Sequence, residues 1–165
     1  MKRRTCLMAG VGAAVSLPVW SGPAAIGERV DWPRLQLLDG SVLEPADWHG
    51  QPALVVLWAT YCPFCKRHNA HLDKLFEQTR TQGLRILGVA QDTDERLVRQ
   101  YMVNNAYRFP VAMDGGQVRS RLTSRRVIPM TCAIDRQGRL VQAIPGEMFE
   151  EDLIDLGRGL IQRAG

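Results

Sequence analysis

The order of hydrophobic and polar residues divides the chain into short blocks. Arg34 to Leu38, followed by Asp39-Gly40, reads as a short strand and turn, and Asp47-Trp48-His49-Gly50 as a second punctuated loop. Ala53 to Ala59 is a continuous apolar run, the pattern of a strand covered on both faces. Residues 64 to 82 carry Leu72, Leu75 and Phe76 at helical spacing and stop before Gly83. A second apolar strand follows at Leu84 to Ala90, and Asp92 with Glu95 three residues later is a helix start signal. Leu97, Val98, Tyr101 and Met102 then form one helical stripe.

Further on, Phe109 to Met113 reads as a short strand, Gln117 to Leu122 as a short helix, and Ile128 to Asp135 as the approach to another strand. Arg136-Gln-Gly138-Arg is a hairpin turn that returns through Leu140 to Ile144. Glu150, Glu151 and Asp152 open a last helix with Leu153, Leu156, Leu160 and Ile161 on its apolar face, the acids standing at the positive end of its dipole. Parallel strands joined by helices and finished by an antiparallel hairpin make an α/β fold with a mixed central sheet flanked by helices.

The 165 residues, 45% hydrophobic and 23% charged, are a globular mix and suit one domain rather than two. The net charge of +4 points to nucleic acid only until it is located. Lys2, Arg3 and Arg4 supply three of the charges, and the remaining eighteen basic and seventeen acidic residues leave +1, no footprint for a polyanion partner. Those three residues precede an uncharged run from Thr5 to Val19 and a small-residue patch, Ser21 to Ala25. Together they read as a signal peptide over residues 1–25, cleaved between Ala24 and Gly27, which sets the folded domain at 26–165. A spanning helix needs about 20 apolar residues, and this run is shorter and ends at Pro18. Arg3-Arg4 also resembles a twin-arginine signal, with a plain Sec signal as the alternative.

Removal of that segment takes Cys6 with it and leaves Cys62, Cys65 and Cys132. One close pair plus one cysteine is no disulfide scaffold, so Cys-x-x-Cys in an exported chain reads as chemistry. Trp58-Ala-Thr-Tyr61-Cys62-Pro63-Phe64-Cys65 sets the pair where a buried strand ends and a helix begins. Free N–H groups and the positive dipole end there stabilise a thiolate at Cys62, and Pro63 fits a first turn that has no N–H to lose. Cys65, one turn inward, is the less exposed sulfur. Cys62 is then the nucleophile, forming a mixed disulfide that Cys65 resolves.

Two other uses of the pair compete with this one. A structural disulfide would close a tiny loop with little stabilisation. A copper or zinc site would recruit His68 and His71, yet their three-residue steps from Cys65 drift around a helix, and solvated histidines on a polar face are the simpler reading. Haem attachment is excluded because Lys66, not His, follows Cys65. No Thr-x-x-Cys element precedes the pair, which argues against a peroxidase.

The Trp58–Cys65 run, the Ile128-Pro129-x-Thr131 element, the Ile134-Asp135-x-x-Gly138 hairpin and the exported leader together resemble the thioredoxin superfamily, in its exported TlpA-like and ResA-like branch, over residues 32 to 163. The resemblance implies a thioredoxin-like fold with an N-terminal strand or hairpin extension. It also makes Pro129 a cis-proline packed beside the pair, with Ile128 offering its backbone to a bound peptide and Trp58, Tyr61, Pro63, Phe64 and Thr131 surrounding the site. Tyr61 stands where family members often carry Trp, and Val56 where thioredoxins proper carry an acid. Thr93 falls, in an ungapped reading, where ResA-like proteins often carry a functional Glu. Proton handling at Cys65 is therefore assigned to Asp92 or water. The family implies a periplasmic reductase of apocytochrome or metal-site cysteines, fed by a membrane thiol transporter. An oxidase or isomerase on the same fold is the alternative. No cofactor beyond the dithiol, no metal and a monomeric chain are expected.

Cys132 reads as a small buried hydrophobe on its strand. Arg119, Arg121, Arg125 and Arg126 read as a solvated basic face, close enough in sequence to Pro129 to steer an acidic partner. Trp58 reads as a wall of the active-site region and Trp48 as a packing anchor.

Overall fold

A computed structural model describes residues 22–163, so the expected signal segment lies outside the described residues apart from its last few positions. The chain runs through a hairpin of β1 (Leu35–Gln36) and β2 (Val42–Leu43), a 3₁₀ turn, then β3 (Ala53–Trp58), α1 (Pro63–Thr79), β4 (Arg85–Ala90) and α2 (Glu95–Asn104). It continues with β5 (Val111–Met113), α3 (Arg119–Leu122), β6 (Met130–Ile134), β7 (Leu140–Pro145) and α4 (Glu150–Gln162). Five strands form one sheet in the order β5-β4-β3-β6-β7. The β3-β4 and β4-β5 pairs are parallel, whereas β6 lies antiparallel to both β3 and β7.

β3 is the central strand, and all six of its residues are buried. Its side chains alternate between two cores, as a strand covered on both faces must. Leu54, Val56 and Trp58 face one core with Cys65, Leu72 and Leu75 of α1, Val98 of α2, and Leu153 and Leu160 of α4. Ala53, Val55 and Leu57 face the other, with Trp32, Leu35, Leu37, Trp48, Val118 and Leu122. Trp32 and Trp48 stack there with ring centroids 3.6 Å apart. Gly88 of β4 allows the first core to close: a Cβ on it would lie 2.7 Å from Phe109 Cε2 and 2.8 Å from Trp58 Nε1. The hairpin covers the outer strand, Leu37 bridging to Ala112 and the Leu38 N–H donating to Val111 O at 2.8 Å. That pairing leaves less of the β5 edge open to another strand.

Two local expectations are corrected. The α2 start signal is Asp94, whose carboxylate accepts from the Arg96 N–H at 2.9 Å, and not Asp92. Asp92 points instead to Thr60. Leu97 is 54% exposed and leaves the stripe, which reduces to Val98, Tyr101 and Met102, because α2 covers the sheet with a single narrow face.

Candidate active site

β3 ends at Trp58, the chain turns, and α1 starts at Pro63 with Cys62 as its N-cap residue. Cys62 Sγ accepts from the Cys65 N–H at 3.3 Å, so the sulfur itself caps one of the free amides of the first turn. From the opposite side the Ile128 carbonyl lies 3.8 Å away, accepting from the Cys62 thiol. The Ile128–Pro129 peptide bond is cis, and β6 begins directly after it. Cys62 keeps 8% of its surface open and Cys65 none. Burial, with the Cys62 sulfur beside it, pushes the Cys65 thiol well above its ordinary range, and the carboxylate of Asp92 acts in the same direction.

Asp92, just past the end of β4, holds the turn that carries the pair. Its carboxylate accepts the Thr60 N–H at 3.1 Å and also the Thr60 hydroxyl. The rim around Cys62 is apolar and open, with Tyr61 73% and Phe64 56% exposed and Ile128 half-buried. The Arg67 guanidinium lies over the Phe64 ring. Among the described residues, no group of three or more His, Cys, Asp or Glu side chains stands ready to hold a metal ion.

Three sequence readings of side chains give way. Trp58 is fully buried core, packed against Tyr101 and Phe109, and its ring lines the interior behind the pair rather than a wall open to solvent. Arg119 is no free surface cation: it donates to Gln91 Oε1 at 2.7 Å and to the Arg125 carbonyl at 2.8 Å, tying the loop before Pro129 to the end of β4. His68 and His71 are not solvated. His68 is completely buried between Thr131 and Met148, and His71 is half-buried against Met148. A readable signal existed for His68, since it lies on the stripe with Cys65, Leu72, Leu75 and Thr79, all buried on α1. Asn69, also fully buried on that helix, was missed too.

The model of the AhpC/TSA family matches residues 26–143. The chain belongs to the AhpC/TSA family. Among curated proteins it is 29% identical over 117 residues to the thiol-disulfide oxidoreductase ResA of Halalkalibacterium halodurans, a stretch covering 71% of this chain and 66% of that one. The chain thus spans just under two thirds of that relative. It is 25% identical over 151 residues to ResA of Bacillus subtilis, covering 90% of this chain and 84% of the relative. A secreted thiol-disulfide isomerase from Corynebacterium glutamicum superposes with a TM-score of 0.72 at 20% identity, over 81% of this chain and 86% of its own. That likeness fixes the fold as thioredoxin-like. Both ResA relatives carry the name thiol-disulfide oxidoreductase.

Proposed function

We propose that this AhpC/TSA member is an exported thiol–disulfide reductase acting on cysteines of folded or folding substrate proteins, such as those that take haem or metal, and that a membrane thiol transporter returns it to the dithiol form. The observation that carries the reading is the asymmetry of the pair, with Cys62 as the helix cap keeping a small opening to solvent and Cys65 sealed completely. The Cys62 thiolate attacks a substrate disulfide, forming one S–S bond as another breaks and releasing the first substrate sulfur as a thiolate. Cys65, once deprotonated, attacks Cys62, expels the second substrate sulfur and leaves the Cys62–Cys65 disulfide. Two electrons pass from the pair to the substrate, and a donor dithiol restores them. Tyr61, Pro63, Phe64, Ile128, Pro129 and Thr131 surround the exchange, and Asp92 takes the Cys65 proton. The pair is its own redox cofactor.

The direction of flow is supported by the environment of Cys65. A dithiol becomes an oxidant when its reduced form is stabilised as a thiolate. Burial holds Cys65 as a thiol and gives the reduced form no such help from that sulfur. The names of the ResA relatives agree with the activity class, and the export expectation rests on the leader. The reduction potential of the pair in the mature protein tests the proposal, measured by equilibration against glutathione and dithiothreitol. A value near or below about −250 mV is expected; one near about −150 mV or above makes the protein an oxidant and overturns it.

A further inference from the structure

His68 stands one turn past Cys65 on α1, and its ring is fully buried at a junction of three elements, α1, β6 and the loop before α4. Its Nδ1 lies 3.1 Å from the Met148 N–H, in the loop between β7 and α4. An amide can only donate, so Nδ1 is the unprotonated nitrogen and Nε2 carries the hydrogen. Nε2 lies 3.1 Å from the Thr131 hydroxyl, two residues beyond Pro129 on β6. Thr131 pairs in register with Val56 of β3, which puts its side chain on the α1 face of the sheet.

The loop that His68 holds is itself fastened to the proline. The Gly146 N–H donates to the Pro129 carbonyl at 2.8 Å. On the α1 side, the Arg67 guanidinium grips the Glu147 carboxylate with two hydrogen bonds, at 2.6 and 2.5 Å, and His71 Nδ1 lies 3.2 Å from the Met148 carbonyl. Arg67 and Glu147 are partly solvent-exposed, and such a pair contributes little rigidity. The two His68 contacts are buried, where a lost partner leaves an unsatisfied polar group. The tether therefore runs from the Cys62 helix through His68 to both neighbours of Pro129, the strand that follows it and the loop hydrogen-bonded to it.

A direct chemical role for His68 fits poorly. Both ring nitrogens already hold buried hydrogen bonds, one to the Thr131 hydroxyl and one to the Met148 N–H, which leaves neither free to take a proton from a sulfur. We infer that His68 is a positioning residue: it holds the Ile128–Pro129 edge in register with Cys62, so that a substrate segment meets a preformed edge rather than one it must order. The inference rests on the reductase reading above and deepens it, because that edge is where the substrate backbone is placed. A looser edge charges its ordering to binding and not to sulfur exchange.

The test uses full-length Thr131→Val, which keeps the shape of the side chain and removes the hydroxyl, and His68→Leu, which removes both contacts. Insulin disulfides serve as the substrate probe and amide hydrogen exchange at Gly146 reports the tether. Both variants are expected to raise KM for insulin about three- to tenfold, the scale of one buried hydrogen bond, with kcat changed less than twofold and Gly146 exchanging faster. Thr131→Val with wild-type circular dichroism and an unchanged KM overturns the inference, as does Gly146 exchange at the wild-type rate. A His68→Leu protein that fails to fold leaves the decision to Thr131→Val. A wild-type protein that leaves insulin disulfides intact while Gly146 responds overturns the reductase reading and the docking role with it, the tether surviving as a packing contact only.

Discussion

Burial divides the labour between two chemically identical side chains. Cys62 caps the start of α1 and keeps a sliver of surface; Cys65, three residues on, has none and is held as a thiol. The resolving step must therefore remove a proton from the harder sulfur, and Asp92 is the acid whose charge reaches it. Two effects of Asp92→Asn oppose each other. Removal of a negative charge near Cys65 eases its ionisation and speeds resolution. Removal of a proton acceptor slows it, and general base assistance is worth about 10²-fold or more, larger than one screened charge at a partly open site. The second effect is expected to win: release of substrate from the Cys62 mixed disulfide, followed by quenched-flow, slows at least about tenfold at neutral pH. A faster release would show the carboxylate to be only a charge near the sulfur and a clamp on Thr60.

The elements were legible in the sequence where one physical requirement dominated each block. β3 and β4 are apolar throughout because both faces of the central sheet are covered, and an unbroken apolar run of that length has few other uses. α1 was legible as a helix, but the whole of its buried face was not, since His68 looks polar and reads as solvated, and Asn69 carries no apolar signal of its own. The stripe that includes Cys65, Leu72 and Leu75 passes through His68, so helical geometry carried the answer against residue type. Its burial has a consequence for stability. Above pH 6.5 His68 is neutral in folded and unfolded chains alike, and its contacts are intact. As pH falls below 6.5 the unfolded chain takes up a proton that the folded one, titrating at about 4, refuses. Stability is therefore lost between those two values, by about 2 kcal/mol from pH 7 to pH 5. The nearby carboxylates Glu147 and Glu150, held low by Arg67 and Lys74, lose their contribution only at more acid pH. Urea midpoints at pH 7 and pH 5 should show the loss in the wild type and a much smaller one in His68→Leu.

At the scale of the whole molecule the sheet is a partition. The thioredoxin-like order of elements was legible because each strand and helix announces its own period, whereas which core a strand residue faces follows from register, and register is set by contacts distant in sequence. Cys132 shows the difference. It pairs with Val55, so it faces the core of Trp32, Trp48 and Leu57, while the Cys62–Cys65 pair lies with Val56 and Trp58 on the other side. A continuous hydrogen-bonded layer separates the third sulfur from the pair, and burial pushes the Cys132 thiol up to about 12. Thiolate is the attacking species in exchange, so both access and ionisation keep Cys132 out of the chemistry. In the folded, oxidised mature protein, mass spectrometry after alkylation should find a Cys62–Cys65 disulfide and a free Cys132 that modifies only on unfolding. Cys132→Ala should leave the reduction potential of the pair unchanged and cost stability alone. A Cys132 disulfide to either active-site sulfur would mean that the sheet opens during turnover, since no movement of side chains alone carries that sulfur across it.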